Sequence, residues 1–319
     1  MLEVSRLEKR YNLHAGFFAP VGQYVYAVNG ISFSIKPKEV YGLVGESGCG
    51  KTTVARTIVR MFDPNGGSIA FTGSDGRRYD VAEAKGTELK EVRSKIKYIF
   101  QDPAKSLNPR MSIKDVLLSG YRYAPNWPGK ARATEEAAQI LKEVGLSPGD
   151  LERRPADFSG GQRQRISIAR ALIQRPEVLV CDEVVSALDV SIQGQILNLL
   201  IRLKEEHGFA MLFIAHDLAV VSYVSDRIGV MYRGLLMEEA PSEKLVAERQ
   251  HPYTRHLYNA LPQLTPGGAK EGFGITPFEE ATDPTRPPVE EIDLSEERPG
   301  MREVAPGHFV SRFFAQGEG

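Results

Sequence analysis

Eight consecutive residues, Gly45-Glu46-Ser47-Gly48-Cys49-Gly50-Lys51-Thr52, fit the pattern G-x-x-x-x-G-K-[ST]. Its chemistry is phosphate binding. Glycines let backbone N–H groups curl around phosphate oxygens, and a helix starting behind them adds partial positive charge. Lys51 would reach the β- and γ-phosphates, and the Thr52 hydroxyl would ligate Mg²⁺. A second stretch, Val178-Leu179-Val180-Cys181-Asp182-Glu183, is an apolar run ending in two carboxylates. The first acid would hold the metal, and Glu183 could orient a water and accept its proton. Together the two stretches imply nucleoside triphosphate hydrolysis.

Further residues narrow that chemistry. Phe158-Ser159-Gly160-Gly161-Gln162-Arg163 opens a helical pattern and offers a second anion-binding helix start. That makes sense if it closes over a nucleotide held by a partner subunit; the plainer reading is a serine N-cap before a flexible turn. Ser186-Ala187-Leu188-Asp189 reads as a dimer-facing turn or as an ordinary cap for the helix near Ser191. His216 ends the apolar run Ala210–Ala215, where it can contact a γ-phosphate. Gln101 ends the run Ile96–Phe100 in the same way, and its amide can coordinate Mg²⁺ or the attacking water.

These residues need elements to hold them. Val40–Val44, Ile96–Phe100, Val178–Cys181, Ala210–Ala215 and Ile228–Tyr232 are short apolar runs, several of them apolar at consecutive positions. That suits parallel strands buried on both faces. Helical patterns lie between them at Thr53–Met61, Gly161–Gln174 and Ser191–Glu206. The alternation predicts an α/β fold. Residues 1–38 alternate as antiparallel strands do, around a Gly/Pro-containing insert near Leu13–Gln23. Residues 104–158 carry helical stretches at Ile113–Ser119 and Ala131–Val144 and read as an inserted helical subdomain. From about Leu261 onward prolines crowd a segment with little periodicity.

The composition sets outer bounds. The chain has 319 residues, ample for a hydrophobic core. Forty basic against 41 acidic side chains leave a net charge of −1, which disfavours bulk nucleic-acid binding. No apolar run approaches the roughly 18–20 residues of a membrane span. Charges occupy the N-terminal stretch where a signal peptide would be apolar, so a cytoplasmic chain is expected. Cys49 and Cys181 are the two cysteines, too few to imply a disulfide framework.

The order of these motifs resembles the ATP-binding subunit of an ABC transporter across residues 1–262, and most resembles the oligopeptide/dipeptide importer branch. The strings carrying the likeness are GESGCGKT, FQDPAKSLNPRMSI, SGGQRQRISIARALI, SALDVSIQGQILNLL, HDLAVVSYVSDRIGVMY and HPYTRHLYNALP. The resemblance implies a P-loop (RecA-like) ABC ATPase core with an antiparallel β-subdomain, the helical insert and a C-terminal extension over 263–319. It implies ATP and Mg²⁺ as ligands. Gly45, Glu46, Ser47, Gly48, Cys49, Gly50, Lys51, Thr52 and Thr53 would form the nucleotide loop. Thr52, Gln101 and Asp182 would complete the metal shell. Glu183 would be the catalytic base and His216 the γ-phosphate sensor. Ser159, Gly160, Gly161 and Gln162 would complete the opposing subunit's site. Tyr11 looks like the aromatic that stacks on adenine, with Tyr24 and Tyr26 as rivals. The implied partners are two membrane-spanning permease subunits, a second ATP-binding subunit (paralogue or self) and a solute-binding protein, with the chain on the cytoplasmic face of the inner membrane. Import of another solute (oligosaccharide, nickel, an opine) would use identical chemistry. A soluble ATPase acting on nucleic acid or the ribosome would need a coiled-coil insert, tandem cassettes or a basic surface.

Two departures stand out. Val184-Val185 replace the family's usual Pro-Thr after the catalytic acid. Many relatives carry a cysteine cluster in the extension; here no cysteine follows Cys181, so no iron–sulfur cluster is expected. The extension is expected to pack on the domain or on a partner, or else to be a disordered tail. Cys49, beside Lys51 and a helix start, is expected to have a lowered thiol pKa and to be a site of inactivating alkylation.

Overall fold

The computed structural model describes residues 1–12, 24–259 and 292–314. In chain order the elements begin with β1 (Leu2–Asn12), β2 (Tyr24–Ile35), β3 (Val40–Val44), α1 (Lys51–Ile58), β4 (Gly66–Thr72), β5 (Arg78–Asp80), α2 (Gly86–Lys95) and β6 (Ile96–Ile99). There follow α3 (Pro103–Ser106), α4 (Ile113–Tyr121), α5 (Lys130–Glu143), α6 (Gly160–Leu172), β7 (Val178–Asp182), α7 (Val190–His207) and β8 (Ala210–Ala215). The last are α8 (Leu218–Val224), β9 (Arg227–Tyr232), β10 (Leu235–Pro241), α9 (Ser242–Glu248), α10 (Pro252–Asn259), β11 (Met301–Ala305) and β12 (His308–Ser311). The chain divides into two compact units. One holds Met1, Ile35–Val40 and Phe71–Ile214; the other holds Leu2–Ser34, Tyr41–Ala70 and Ala215–Gly319.

In the first unit β6, β7 and β8 run parallel, with Ile96 opposite Val178 and Asp182 opposite Ile214. Every residue of β7 and β8 is buried, which is why their apolar residues run consecutively instead of alternating. The segment from Pro103 to Asp157 is built from α3, α4, α5 and two 3₁₀ turns. In α5, Ala133, Ala137, Ile140 and Leu141 bury one helical face at the spacing that periodicity requires. The Ser112 hydroxyl accepts from the Asp115 N–H at 3.1 Å and starts α4. In α7, Ile196, Leu199, Leu200 and Leu203 form the buried stripe, and the helix stops at Gly208, whose φ is 72°.

In the second unit β3 and β9 are parallel, and β10 turns back antiparallel to β9. β12 then adds antiparallel to β10, with Glu239 opposite Phe309, and β11 completes a hairpin on β12. Part of the C-terminal extension thus folds onto its own domain. β1 lies between β2 and β4. A register shift between Leu236 and Glu238 interrupts the β9–β10 ladder. The next residues, Glu238 and Glu239, are both fully buried. Neighbours on a strand face opposite ways, so each acid needs its own partners. Glu238 accepts from the Gln250 and His251 backbone N–H groups at 2.8 and 3.0 Å and pairs with His308 Nε2 at 2.7 Å. Glu239 pairs with Arg227, accepts the Tyr41 hydroxyl at 2.8 Å and meets Arg298 at 3.0 Å. Arg298 and His308 belong to the extension, so an ion pair to Glu239 and a buried hydrogen bond to Glu238 tie it down. Among the described residues no helix is long and apolar enough to cross a membrane.

Candidate functional site

The Gly45–Thr52 motif lies in the second unit, between β3 and the start of α1. β3 is five buried residues, and α1 starts at Lys51 with Gly50 as its N-cap. Gly50 has φ 110°, and a Cβ there would sit 2.0 Å from the Ala27 carbonyl oxygen, so no other residue fits. Lys51 is 4 % exposed. Its ammonium donates to the Gly45 carbonyl at 2.6 Å and the Glu46 carbonyl at 2.8 Å, and lies 3.7 Å from Cys49 Sγ. The loop thus carries a buried cation held by its own carbonyls. Thr52 and Thr53 follow in the first turn of α1, both half-buried. His216 is exposed immediately after β8, and Asp217 beside it caps α8 by accepting the Ala219 N–H at 2.7 Å.

In the first unit the carboxylates stand at the end of β7. Asp182 is 1 % exposed and accepts the Tyr98 hydroxyl at 2.5 Å. The β6–β7 register sets Tyr98 opposite Val180, so Tyr98 shares a face with Asp182 two residues on. Glu183 has φ 49°, a left-handed conformation costly for a residue with a Cβ. Its N–H donates to the Ile214 carbonyl at 2.9 Å, and its carbonyl accepts the Ser186 hydroxyl at 2.9 Å. The surrounding bonds impose the strained turn, and the Glu183 carboxylate accepts Gln101 Nε2 at 2.6 Å. At the end of β7 Gln101 is therefore bonded to Glu183 and Tyr98 to the adjacent Asp182, and the two valines after Glu183 are buried.

The Ser159 to Gln162 stretch opens α6. Ser159 Oγ accepts the Gln162 N–H at 3.3 Å, and Gln162 Oε1 accepts the Ser159 N–H at 2.9 Å, a complete capping box. The plain cap reading is thus realised, and Gly160 and Gly161 still follow it at the helix start. A Cβ on Gly161 would lie 2.8 Å from Ile192 Cγ2 of α7, so close helix packing requires that glycine. Asp189 stands at the N-cap of α7, but its side chain makes no cap bond. The ordinary-cap reading of that aspartate side chain therefore fails.

Tyr11 is the next-to-last residue of β1, half-buried, with its ring edge-on to Phe62 at 5.8 Å and Lys9 Nζ 5.2 Å from its centroid. Tyr24 lies under the Arg10 guanidinium at 4.7 Å. The insert between them, residues 13–23, falls outside the described residues. One expectation is overturned. Cys49 is 6 % exposed, and burial pushes its thiol pKa up despite the neighbouring lysine. Desolvation of a thiolate outweighs a single cation already shared among three acceptors. Tyr98 escaped notice in the sequence because its partner is 84 positions away. The available signal was an aromatic hydroxyl on the strand preceding Gln101, two residues short of the acid's level on β7.

A family model described as "ABC transporter" matches residues 28–186. The oligopeptide transport ATP-binding protein AppF of Bacillus subtilis (strain 168) is 40 % identical, covering 98 % of this chain and 96 % of that protein. The dipeptide transport ATP-binding protein DppF of Lactococcus lactis subsp. cremoris (strain MG1363) is 44 % identical over 92 % of this chain and 89 % of that protein. A putative peptide import ATP-binding protein of Brucella ovis is 46 % identical over 88 % and 90 %. Among solved structures, the dimeric post-hydrolysis state of the ATP-binding cassette MJ0796, bound to ADP and Pi, aligns with a TM-score of 0.64 and 26 % identity, covering 76 % of this chain and 99 % of that one. The likeness drawn from the motif order is borne out at this level: the chain belongs to the ABC transporter family, among its ATP-binding proteins.

Proposed function

We propose that this chain hydrolyses ATP to drive the import of oligopeptides or dipeptides. In this reading it is one of two ATP-binding subunits docked on two permease subunits at the cytoplasmic face of the membrane, with a solute-binding protein delivering the peptide. The observation that carries the hydrolytic part is the cluster at the end of β7, where Gln101 bonds Glu183 and Tyr98 fixes Asp182. The peptide part rests on the relatives named for peptide transport.

Each residue takes a role that follows from its chemistry. Lys51 exchanges loop carbonyls for β- and γ-phosphate oxygens, and backbone N–H groups of the loop complete the cradle. Glu183 accepts the proton of the attacking water while Gln101 holds its carboxylate still. His216 contacts the γ-phosphate. Tyr11 stacks on adenine. Ser159 to Gln162 cover the nucleotide of the opposing subunit with the start of α6. Hard oxygens would hold Mg²⁺: in the first unit the Asp182 carboxylate and the Gln101 amide oxygen, whose nitrogen is already committed to Glu183, and, as the resemblance implies, the Thr52 hydroxyl. A single carboxylate with neutral oxygens fits an ion shared with phosphate. When bound, Mg²⁺ supplies charge neutralisation to the phosphates.

The test is to tag the chain carrying Glu183→Gln and recover it from detergent-solubilised native membranes with ATP and Mg²⁺. Co-purification of two membrane-spanning subunits, a second ATPase and a peptide-loaded binding protein supports the reading. A different solute on that protein replaces the peptide assignment. Recovery with ribosomes or DNA in the soluble fraction overturns the transport role.

A further inference from the structure

The HPYT string of α10 has no role in the reading above, yet its tyrosine touches the phosphate loop. Tyr253 is fully buried, and its hydroxyl oxygen accepts the Glu46 N–H at 3.1 Å, across 207 positions of sequence. The same residue of the loop is held at its other end: the Glu46 carbonyl accepts Lys51 Nζ at 2.8 Å and the Cys49 N–H at 3.3 Å. If Lys51 leaves that carbonyl for a phosphate, one of these holds is released. The Tyr253 bond remains.

Tyr253 is itself wedged from behind. Its ring lies 4.4 Å from Tyr232 at the end of β9, and Tyr232 meets Phe314 edge-on at 5.4 Å. His251 Nδ1 accepts the Tyr253 N–H at 3.1 Å, so the ring proton sits on Nε2, which donates to the Phe313 carbonyl at 2.8 Å. Burial lowers the His251 pKa, in keeping with that neutral form. Phe313 and Phe314 follow β12 of the C-terminal hairpin after Arg312. A continuous set of contacts therefore runs from the extension, through His251 and Tyr232, to Tyr253 and the backbone of Glu46.

We propose that Tyr253 is a positioning residue for the phosphate loop, and that the C-terminal hairpin seats it there. The proposal rests on the reading of Lys51 as a phosphate ligand. Holding the Glu46 N–H keeps the turn out of β3 in shape while Lys51 changes partners, so the loop meets the nucleotide preorganised.

The experiment compares Tyr253→Phe, Phe314→Ala, Lys51→Ala and wild type for binding of a fluorescent ATP analogue, for ATP hydrolysis, and for amide exchange of the peptide containing Glu46. Tyr253→Phe removes one oxygen and leaves the ring packing in place. The expected result is a roughly five- to twentyfold loss of nucleotide affinity, the range for one hydrogen bond to a poorly solvated amide. KM should rise more than kcat falls, and the Glu46 peptide should exchange faster. A general loss of stability would instead reduce the active fraction and leave KM alone. Phe314→Ala should move affinity in the same direction by less; an unchanged affinity there removes the hairpin from the proposal. Affinity within twofold of wild type in Tyr253→Phe, with Lys51→Ala binding poorly, overturns the role of Tyr253. Full binding by Lys51→Ala refutes the phosphate-loop reading itself, and this proposal with it.

Discussion

The left-handed backbone at Glu183 permits an isolated test of how the candidate base is presented. Glu183→Ala and Glu183→Gly remove the same carboxylate and the same bond from Gln101 Nε2, so they differ in backbone freedom and one methyl group. At an ordinary helical position glycine is the less stable choice by about 0.5–1 kcal/mol, because it has more unfolded-state freedom to lose. With φ at 49°, a Cβ adds about 1–2 kcal/mol of strain that glycine avoids. Subtracting the two, Glu183→Gly should leave the protein more stable than Glu183→Ala does, by roughly 0.5–1 kcal/mol. The comparison needs a control, and Ala131→Gly serves: the residue is exposed in the first turn of α5, and the usual order, alanine above glycine, should hold. Urea unfolding of the nucleotide-free protein, with matched slopes across variants, gives the differences. Both Glu183 variants should lack turnover. If alanine equals or exceeds glycine at this position, the turn does not hold the residue in a left-handed state.

Three more outcomes follow from the same geometry. Tyr98→Phe strips a charge-assisted bond from a carboxylate that is 1 % exposed. It should cost about 1.5–3 kcal/mol of stability and raise the Mg²⁺ concentration for half-maximal ATP hydrolysis about tenfold, whereas an unaltered Mg²⁺ titration refutes the positioning of Asp182 by Tyr98. Lys97 on β6 is held down to about 8 by burial, with Gln174 Oε1 at 2.7 Å as its neutral partner. Its ammonium is therefore disfavoured in the folded state below pH 8, and the penalty fades as pH rises from about 8 to 10.5, where both states lose the proton. Lys97→Gln should stabilise the protein by about 2 kcal/mol at pH 7, allowing for the weakened bond, and by almost nothing near pH 10.5. Equal gains at both pH values contradict it. Finally, Cys49 and Cys181 are buried with raised thiol pKa values, so a thiol reagent at pH 8 should modify neither at the rate of a free cysteine until urea unfolds the chain. Fast native-state labelling of Cys49 would restore the reactive-thiol reading.

What could be read from the sequence was what burial writes locally. β3, β7 and β8 showed themselves as consecutive apolar residues because a parallel strand covered on both faces has no polar side. α6 announced its start through Ser159 and Gln162, whose capping bonds span three residues. β10 and β12 were silent for the opposite reason. Glu238-Glu239 looks like surface, and a register shift with partners from β3, β9 and the extension is what allows both to be buried. Within the candidate site, the glycines, Lys51, Asp182 and Glu183 carry their chemistry in their own types. Tyr98 and Tyr253 do not. Each acts through one hydroxyl toward a residue far away in sequence, and no local pattern marks such a bond. Cys49 misled because proximity to a cation is visible in sequence, while the burial that outweighs it is not.

In the proposed function Glu183 activates water for ATP hydrolysis. The most direct measurement is phosphate release by Glu183→Gln against wild type at saturating ATP and Mg²⁺, with nucleotide binding followed in parallel. A positioned base contributes about 10²–10⁴-fold, so turnover should fall by at least a hundredfold while nucleotide binding is retained. Turnover within a few fold of wild type would remove Glu183 from that role.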